Sequence, residues 1–146
     1  VVIAGHRAAV ERACDVAKQL GARRAVALAV SAPFHSTLLQ PASDRLRQRL
    51  AHAALNTPHI DLINNVDVAI ETEPARIADA LARQAASPVR WAATIRKMHG
   101  LGVTHVVECG PGRVLSGMTK RVAPEIESLA INDPATLTST LLALQQ

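Results

Sequence analysis

At 146 residues, with 49% hydrophobic and 19% charged side chains, the chain is long enough for one domain that buries about two thirds of its unfolded surface. A net charge of +4 favours an anionic ligand or surface, yet one Phe, one Trp and no Tyr leave little on which nucleic-acid bases could stack, so a nucleic-acid binder is set aside. Cys14 and Cys109 lie far apart without metal-type spacing, and neither a signal-peptide pattern nor a membrane-spanning apolar run is seen, so a cytoplasmic, reducing setting without metal is expected.

In chain order, Val1 to Gly5 reads as a strand that begins without an initiator methionine or a preceding turn. An uncovered strand edge is a liability that complete domains hide, so the chain is expected to be part of something longer. Val10, Ala13, Cys14, Ala17 and Leu20 recur at helical spacing, Gly21 supplies the stop, and Arg24 to Val30 reads as a second strand. The run Val30-Ser31-Ala32-Pro33-Phe34-His35-Ser36 then breaks at a proline and presents an imidazole. A loop between a strand and a helix is where open α/β folds keep their ligands, which makes His35 the first candidate for chemistry.

Pro41 opens a helix with Ala42, Leu46, Leu50 and Ala53 inward and Arg45, Arg47 and Arg49 toward water, and Ile60 to Val66 reads as a strand closing in a polar turn. Glu71 and Glu73 belong to a turn before Pro74, where carboxylates favour the next helix start. In that helix Ile77, Leu81 and Ala85 form the inner stripe, and Gln84 falls on the same face. An amide buried without partners costs about 1 to 3 kcal/mol, so Gln84 is expected to have a hydrogen-bonding role.

Ser87 and Pro88 start a helix with Trp91, Ile95 and Met98 inward, ended by Gly100 and Gly102. Val103 to Cys109 is a strand, Gly110-Pro111-Gly112 a turn, and the following helix is expected to bury Val114, Leu115, Met118 and Val122. The glycine turn lacks the lysine and hydroxyl spacing of a phosphate loop and reads as structural. Ile126 to Ile131 is a strand, and Asp133-Pro134 caps a last helix with Leu137, Leu141 and Leu144 inward. Alternating strands and helices give an α/β class. His99, His105 and Cys109 lack the geometry of a zinc site, and Cys109 reads as a small core residue.

Taken as an ordered set, several landmarks resemble the carboxyl-terminal half of bacterial malonyl-CoA:acyl-carrier-protein transacylases. They are Val1-Val2-Ile3-Ala4-Gly5-His6, the Val30 to His35 loop with Pro41-Ala42, Asn64-Asn65-Val66-Asp67-Val68, Arg83-Gln84 with Pro88-Val89-Arg90-Trp91, and Gly110-Pro111-Gly112-Arg113-Val114-Leu115 with Thr119-Lys120-Arg121. The resemblance implies an α/β-hydrolase-like acyltransferase subdomain over residues 32–146 and part of an inserted ferredoxin-like subdomain over residues 1–31. It further implies malonyl transfer from malonyl-CoA to the phosphopantetheine thiol of acyl carrier protein in fatty acid biosynthesis, through an acyl-serine, with His35 as base and Gln84 as its support, usually through the main-chain carbonyl. Phe34 is implied to favour malonyl over a branched acyl group. No metal or organic cofactor is implied, the full-length enzyme is expected to be a monomer, and Arg113, Lys120 and Arg121 are candidates for meeting an acidic carrier. The family's Gly-His-Ser-x-Gly elbow does not occur in these residues, so the chain alone is expected to be inactive. The alternatives are an acyltransferase domain of a polyketide synthase and a non-catalytic α/β module that binds an acidic protein.

Overall fold

The computed structural model describes residues 1–145, which form two compact units divided after Val89. In the first unit, α1 (Arg7–Gln19) stops as its glycine allows: Gly21 adopts φ 90°, a left-handed conformation that costs glycine little. The flanking segments do not become strands. Val1 to Gly5 and Arg24 to Val30 belong to neither sheet, and Val2, Ile3, Val26, Leu28 and Val30 stand exposed. An apolar run becomes a strand only when a partner takes up its ladder of hydrogen bonds, and among the described residues neither segment has such a partner.

A single 3-10 turn at Thr37–Leu39 leads into α2 (Gln40–Leu50), with Pro41 in its first turn. Ser43, not the expected Leu46, is the residue that α2 buries. Its hydroxyl donates to the Ala82 carbonyl at 2.6 Å, so a hydrogen bond rather than an apolar ridge joins α2 to the next helix. The expected strand from Ile60 to Val66 is cut to β1 (Leu62–Ile63), which pairs antiparallel with β2 (Ile70–Glu71). Asn64 ends it. Its Oδ1 accepts the N–H of Val66 at 3.0 Å and of Asp67 at 2.7 Å, folding the chain into a turn in which Val68 takes φ 58°. Glu71 lies in β2 instead of a turn, buried and paired with Arg76 at 2.9 Å, and Glu73 precedes α3 without capping it through its side chain.

Helix α3 (Pro74–Gln84) buries Ile77, Ala80 and Ala82. Leu81 is exposed and Gln84 only half-buried, so the inner face is turned from the expected Ile77, Leu81 and Ala85 stripe toward the small alanines. Alanine's single methyl is too short to hold the backbones apart, which lets the Ser43 hydroxyl reach the α3 main chain.

The second unit runs α4 (Trp91–Gly100), β3 (His105–Cys109), α5 (Val114–Val122), β4 (Glu127–Ile131) and α6 (Pro134–Ala143). Strands β3 and β4 are parallel, from His105 opposite Glu127 to Cys109 opposite Ile131, and parallel pairing requires a crossover, here α5. Ile95, Ala123 and Ile126 form the core, with Trp91, Met98, Val106 and Val122 packed on it. The α4 stripe is therefore as expected, although the helix begins at Trp91, after Ser87 and Pro88. Asp133 caps α6 as expected, accepting the Thr136 N–H at 2.7 Å. Helices α5 and α6 depart further: Ser116, Thr119 and Thr140 are buried while Val114, Leu115, Met118, Leu137, Leu141 and Leu144 are exposed. A two-stranded sheet covers one side of each helix, and that side carries the short hydroxyl residues. Helix and strand alternate around a parallel pair, the α/β class. Among the described residues no helix is long and apolar enough to cross a membrane.

Candidate active site

The site is built on the carboxyl end of α3. A helix leaves its last four carbonyls without partners in the next turn, and here the sequence makes certain of one. The amide that would bond the Gln84 carbonyl in a continuing helix belongs to residue 88, which is proline and has no N–H. The Gln84 carbonyl oxygen instead lies 3.0 Å from Nδ1 of His35, and the Ala85 carbonyl accepts the His35 main-chain N–H at 3.3 Å.

These two bonds hold His35 in an unusual backbone state. Its φ is 59°, a left-handed conformation that costs a residue with a Cβ on the order of 1 to 3 kcal/mol and persists only where the surroundings impose it. The consequence is chemical. A carbonyl can only accept, so Nδ1 carries the proton in this bond and Nε2 is left with its lone pair. The ring is exposed, which leaves Nε2 free to meet a reactant. An imidazole fixed in one tautomer with an accessible basic nitrogen is equipped for general-base work.

Downstream, the Ser36 hydroxyl donates to the Pro33 carbonyl at 2.7 Å, tightening the loop on which His35 rides. Phe34 is 52% exposed and stands next to His35 in the chain. The contact uses the Gln84 main-chain carbonyl, the atom that the family resemblance implies, and not the side chain that the helical stripe had singled out. The signal in the sequence was Pro88, four residues on.

A charged network lies next to this contact in sequence. Arg83 donates through Nη1 and Nη2 to the two carboxylate oxygens of Asp67 at 3.0 and 2.6 Å, and through Nε to Asp79 at 2.6 Å. Asp79 also accepts from Arg47 of α2 at 2.6 Å. Hydrogen bonds from Arg83 hold the Asp67 carboxyl below its ordinary range, those from Arg47 and Arg83 do the same for Asp79, and the two carboxylates in turn raise Arg83. Arg47 is exposed as expected, and it also reaches this ion pair. The Asp79 to Arg83 spacing of four on a helix was a legible signal for half of this network.

In the second unit the glycine turn meets the amino end of α5, and an anion is already there. Glu108 accepts from the main-chain N–H of Leu115 at 3.2 Å, and from the N–H and hydroxyl of Ser116 at 2.8 and 2.7 Å. The Ser116 bonds, chiefly, pull the Glu108 carboxyl below its ordinary value of 4.5. Gly110 and Gly112 take φ 154° and 118°, backbone conformations that suit glycine. Cys109 is exposed at the end of β3 instead of lying in a core. His105 meets Glu127 across the sheet at 3.3 Å. Among the described residues no three of His, Cys, Asp and Glu gather to hold a metal ion.

No family model matches the chain. A malonyl CoA-acyl carrier protein transacylase of Haemophilus influenzae is 50% identical over 92% of this chain and 43% of its own length, and that of Bacillus subtilis 39% identical over 100% and 46%. The crystal structure of an acyl-carrier-protein S-malonyltransferase from Burkholderia pseudomallei superposes with a TM-score of 0.90 at 52% identity, over 94% of this chain and 45% of that one. A malonyl-transacylase in complex with a type II PKS acyl-carrier protein gives 0.92 at 44% identity, over 95% and 45%. The chain spans under half the length of the relatives it matches, and in sequence and backbone alike it is homologous to that stretch of the malonyl CoA-acyl carrier protein transacylases.

Proposed function

We propose that this chain carries the general base of an acyltransferase that moves malonyl from malonyl-CoA to the phosphopantetheine thiol of acyl carrier protein. One observation carries the reading: the bond between Nδ1 of His35 and the Gln84 carbonyl, 3.0 Å, which leaves Nε2 as the basic nitrogen. A serine hydroxyl is a poor nucleophile near neutral pH, so an imidazole must take its proton as the oxygen attacks the thioester carbon. Nε2 takes that proton and the imidazolium returns it to the coenzyme A thiolate as the C–S bond breaks. In the second half-reaction Nε2 takes the carrier thiol's proton as sulfur attacks the acyl-serine, and hands it back to the serine oxygen.

A carbonyl stabilises the imidazolium less than a carboxylate does, while still fixing the ring's orientation. The serine and the arginine that pairs with the malonyl carboxylate are assigned to sequence outside this chain. Residues 1–31 and 32–146 are assigned to the ferredoxin-like and α/β-hydrolase-like subdomains. On the same reading the full-length enzyme is a cytoplasmic monomer that needs no metal or organic cofactor. The relative in complex with a type II PKS carrier supports polyketide synthesis as a second setting, with fatty acid synthesis the first.

The test is His35→Ala in the full-length enzyme, followed by mass spectrometry of the acyl-enzyme formed from malonyl-CoA. Acylation is expected to slow by roughly 10²- to 10⁴-fold, with folding intact. Gln84→Ala keeps the carbonyl and is expected to slow it less than about tenfold. An unaltered rate in His35→Ala overturns the reading.

A further inference from the structure

Holding a base on a helix end raises a mechanical problem, because terminal turns fray and a frayed turn moves its carbonyls. The Gln84 carbonyl is useful to His35 only while the last turn of α3 stays in place. We propose that Arg83, clamped between Asp67 and Asp79, is a positioning residue that braces this turn so that the Gln84 carbonyl orients the His35 imidazole. The inference rests on His35 being the base.

The geometry distinguishes this arginine from an ordinary surface ion pair, which contributes little. Arg83 uses three nitrogens on two carboxylates, the Asp67 pair being two-pronged at 3.0 and 2.6 Å, and planar paired bonds fix direction as well as distance. Each carboxylate is itself held. Asp67 rides in the turn whose amides are bound by Asn64, and Asp79 is shared with Arg47 at 2.6 Å. Arg47 and Ser43 belong to α2, and Ser43 donates to the Ala82 carbonyl two residues before Gln84. Helix α2 begins five residues after His35. The last turn of α3 is thus tied on one side to the β1–β2 turn and on the other to the helix that carries the far end of the His35 loop.

The experiment uses Arg83→Ala, Arg83→Lys and Asp67→Asn in the full-length enzyme, with His35→Ala as control. Misplacing a catalytic group through a remote change costs up to about 100-fold, so Arg83→Ala is expected to lower kcat for malonyl transfer about 10- to 100-fold while KM for malonyl-CoA holds. Arg83→Lys and Asp67→Asn fall between it and the parent. The second readout is the nitrogen-15 NMR signature of the His35 ring. In the parent Nδ1 carries the proton, and in Arg83→Ala the ring shifts toward the other tautomer, a change that general destabilisation does not produce in a folded variant. Wild-type kcat and an unmoved ring signature in folded Arg83→Ala overturn the proposal; should that variant not fold, the same result in Asp67→Asn, whose side chain is partly exposed, overturns it equally. Full activity in His35→Ala would instead defeat the base assignment, and the ring signature would still report on the brace.

Discussion

Two helix ends in this molecule meet charge in opposite ways. At the amino end of α5 the free N–H groups are closed by the chain's own Glu108, which takes three hydrogen bonds from Leu115 and Ser116. At the carboxyl end of α3 the free carbonyls meet a titratable ring that remains exposed, His35, through Gln84 and Ala85. Each end satisfies backbone groups that its helix leaves without partners, N–H groups at α5 and carbonyls at α3, and only at α5 is the partner a fixed charge of the sign that the helix dipole favours. The difference lies in what is left over. Glu108 spends its acceptors on the helix, whereas His35 spends one nitrogen and keeps the other. A helix end becomes a place for chemistry when its partner retains an unused, accessible proton site.

After the loss of the base itself, the next largest expected effect tests whether the open end is also a place where substrate shape is read. Phe34, half-exposed beside His35, is proposed to occupy the space that a 2-methyl branch on the acyl group would need. Forcing a methyl into an occupied site costs about 1 to 3 kcal/mol, or roughly 10- to 200-fold in selectivity. Phe34→Ser in the full-length enzyme is expected to raise kcat/KM for methylmalonyl-CoA relative to malonyl-CoA within that range. An unchanged ratio in an active, folded variant would assign Phe34 to packing alone.

A smaller effect follows from the reason the α3 end is open. Pro88 cannot donate to the Gln84 carbonyl, so Pro88→Ala supplies the missing amide and lets the helix compete with His35 for it. One such hydrogen bond is worth about 0.5 to 1.5 kcal/mol net, so acylation is expected to slow by about tenfold at most, with the His35 ring losing its fixed tautomer. If the rate and the ring signature both hold, the carbonyl is kept free by something other than the proline.

How much of this was legible in the sequence differs between the two ends. Elements with strong periodicity and a start or stop signal, such as α6 with its amino-terminal cap Asp133 and α1 with Gly21 after its end, lie where the residues place them, because caps and glycines act locally. The apolar faces of α5 and α6 were misassigned. Val114, Leu115, Leu137 and Leu141 have helical spacing, but spacing identifies a shared face and not what covers it, and here the sheet takes the face with Ser116, Thr119 and Thr140. The segments at residues 1–5 and 24–30 failed similarly, since β-propensity describes how a residue fits a sheet that must already be present. At the site, His35 stood out by its loop and Gln84 by its place on α3, yet the contact uses a main-chain atom, which the side-chain pattern did not announce and only the family resemblance implied. The pairing of Arg83 with Asp67 spans 16 residues and depends on the Asn64 turn, so it was out of reach, while its Asp79 half lay at helical spacing.

The smallest expected effect belongs to the closed end. Hydrogen bonds from the Ser116 amide and hydroxyl, with the Leu115 amide, favour the ionised form of Glu108 and depress its folded-state pKa below the ordinary 4.5. A carboxylate depressed on folding contributes stability that is fully present above its unfolded value and is lost as pH falls through the lower, folded value. The window therefore lies in acid, below about pH 4.5, and neutral conditions are unaffected. Glu108 is solvated, so the contribution is small and weakened by salt. Asp67, Asp79 and Asp133 are depressed in the same direction, so a global melting curve would mix four carboxylates. Amide exchange at Leu115 and Ser116 isolates one. In the parent, protection of these two amides is expected to fall as the pH is lowered through this window. Glu108→Gln, which keeps an acceptor but no charge, is expected to show weaker protection at neutral pH and little further change in acid. Identical pH profiles in parent and variant would mean that the α5 end is held by its packing against the strands and not by the carboxylate, and the contrast between the two helix ends would lose its closed member.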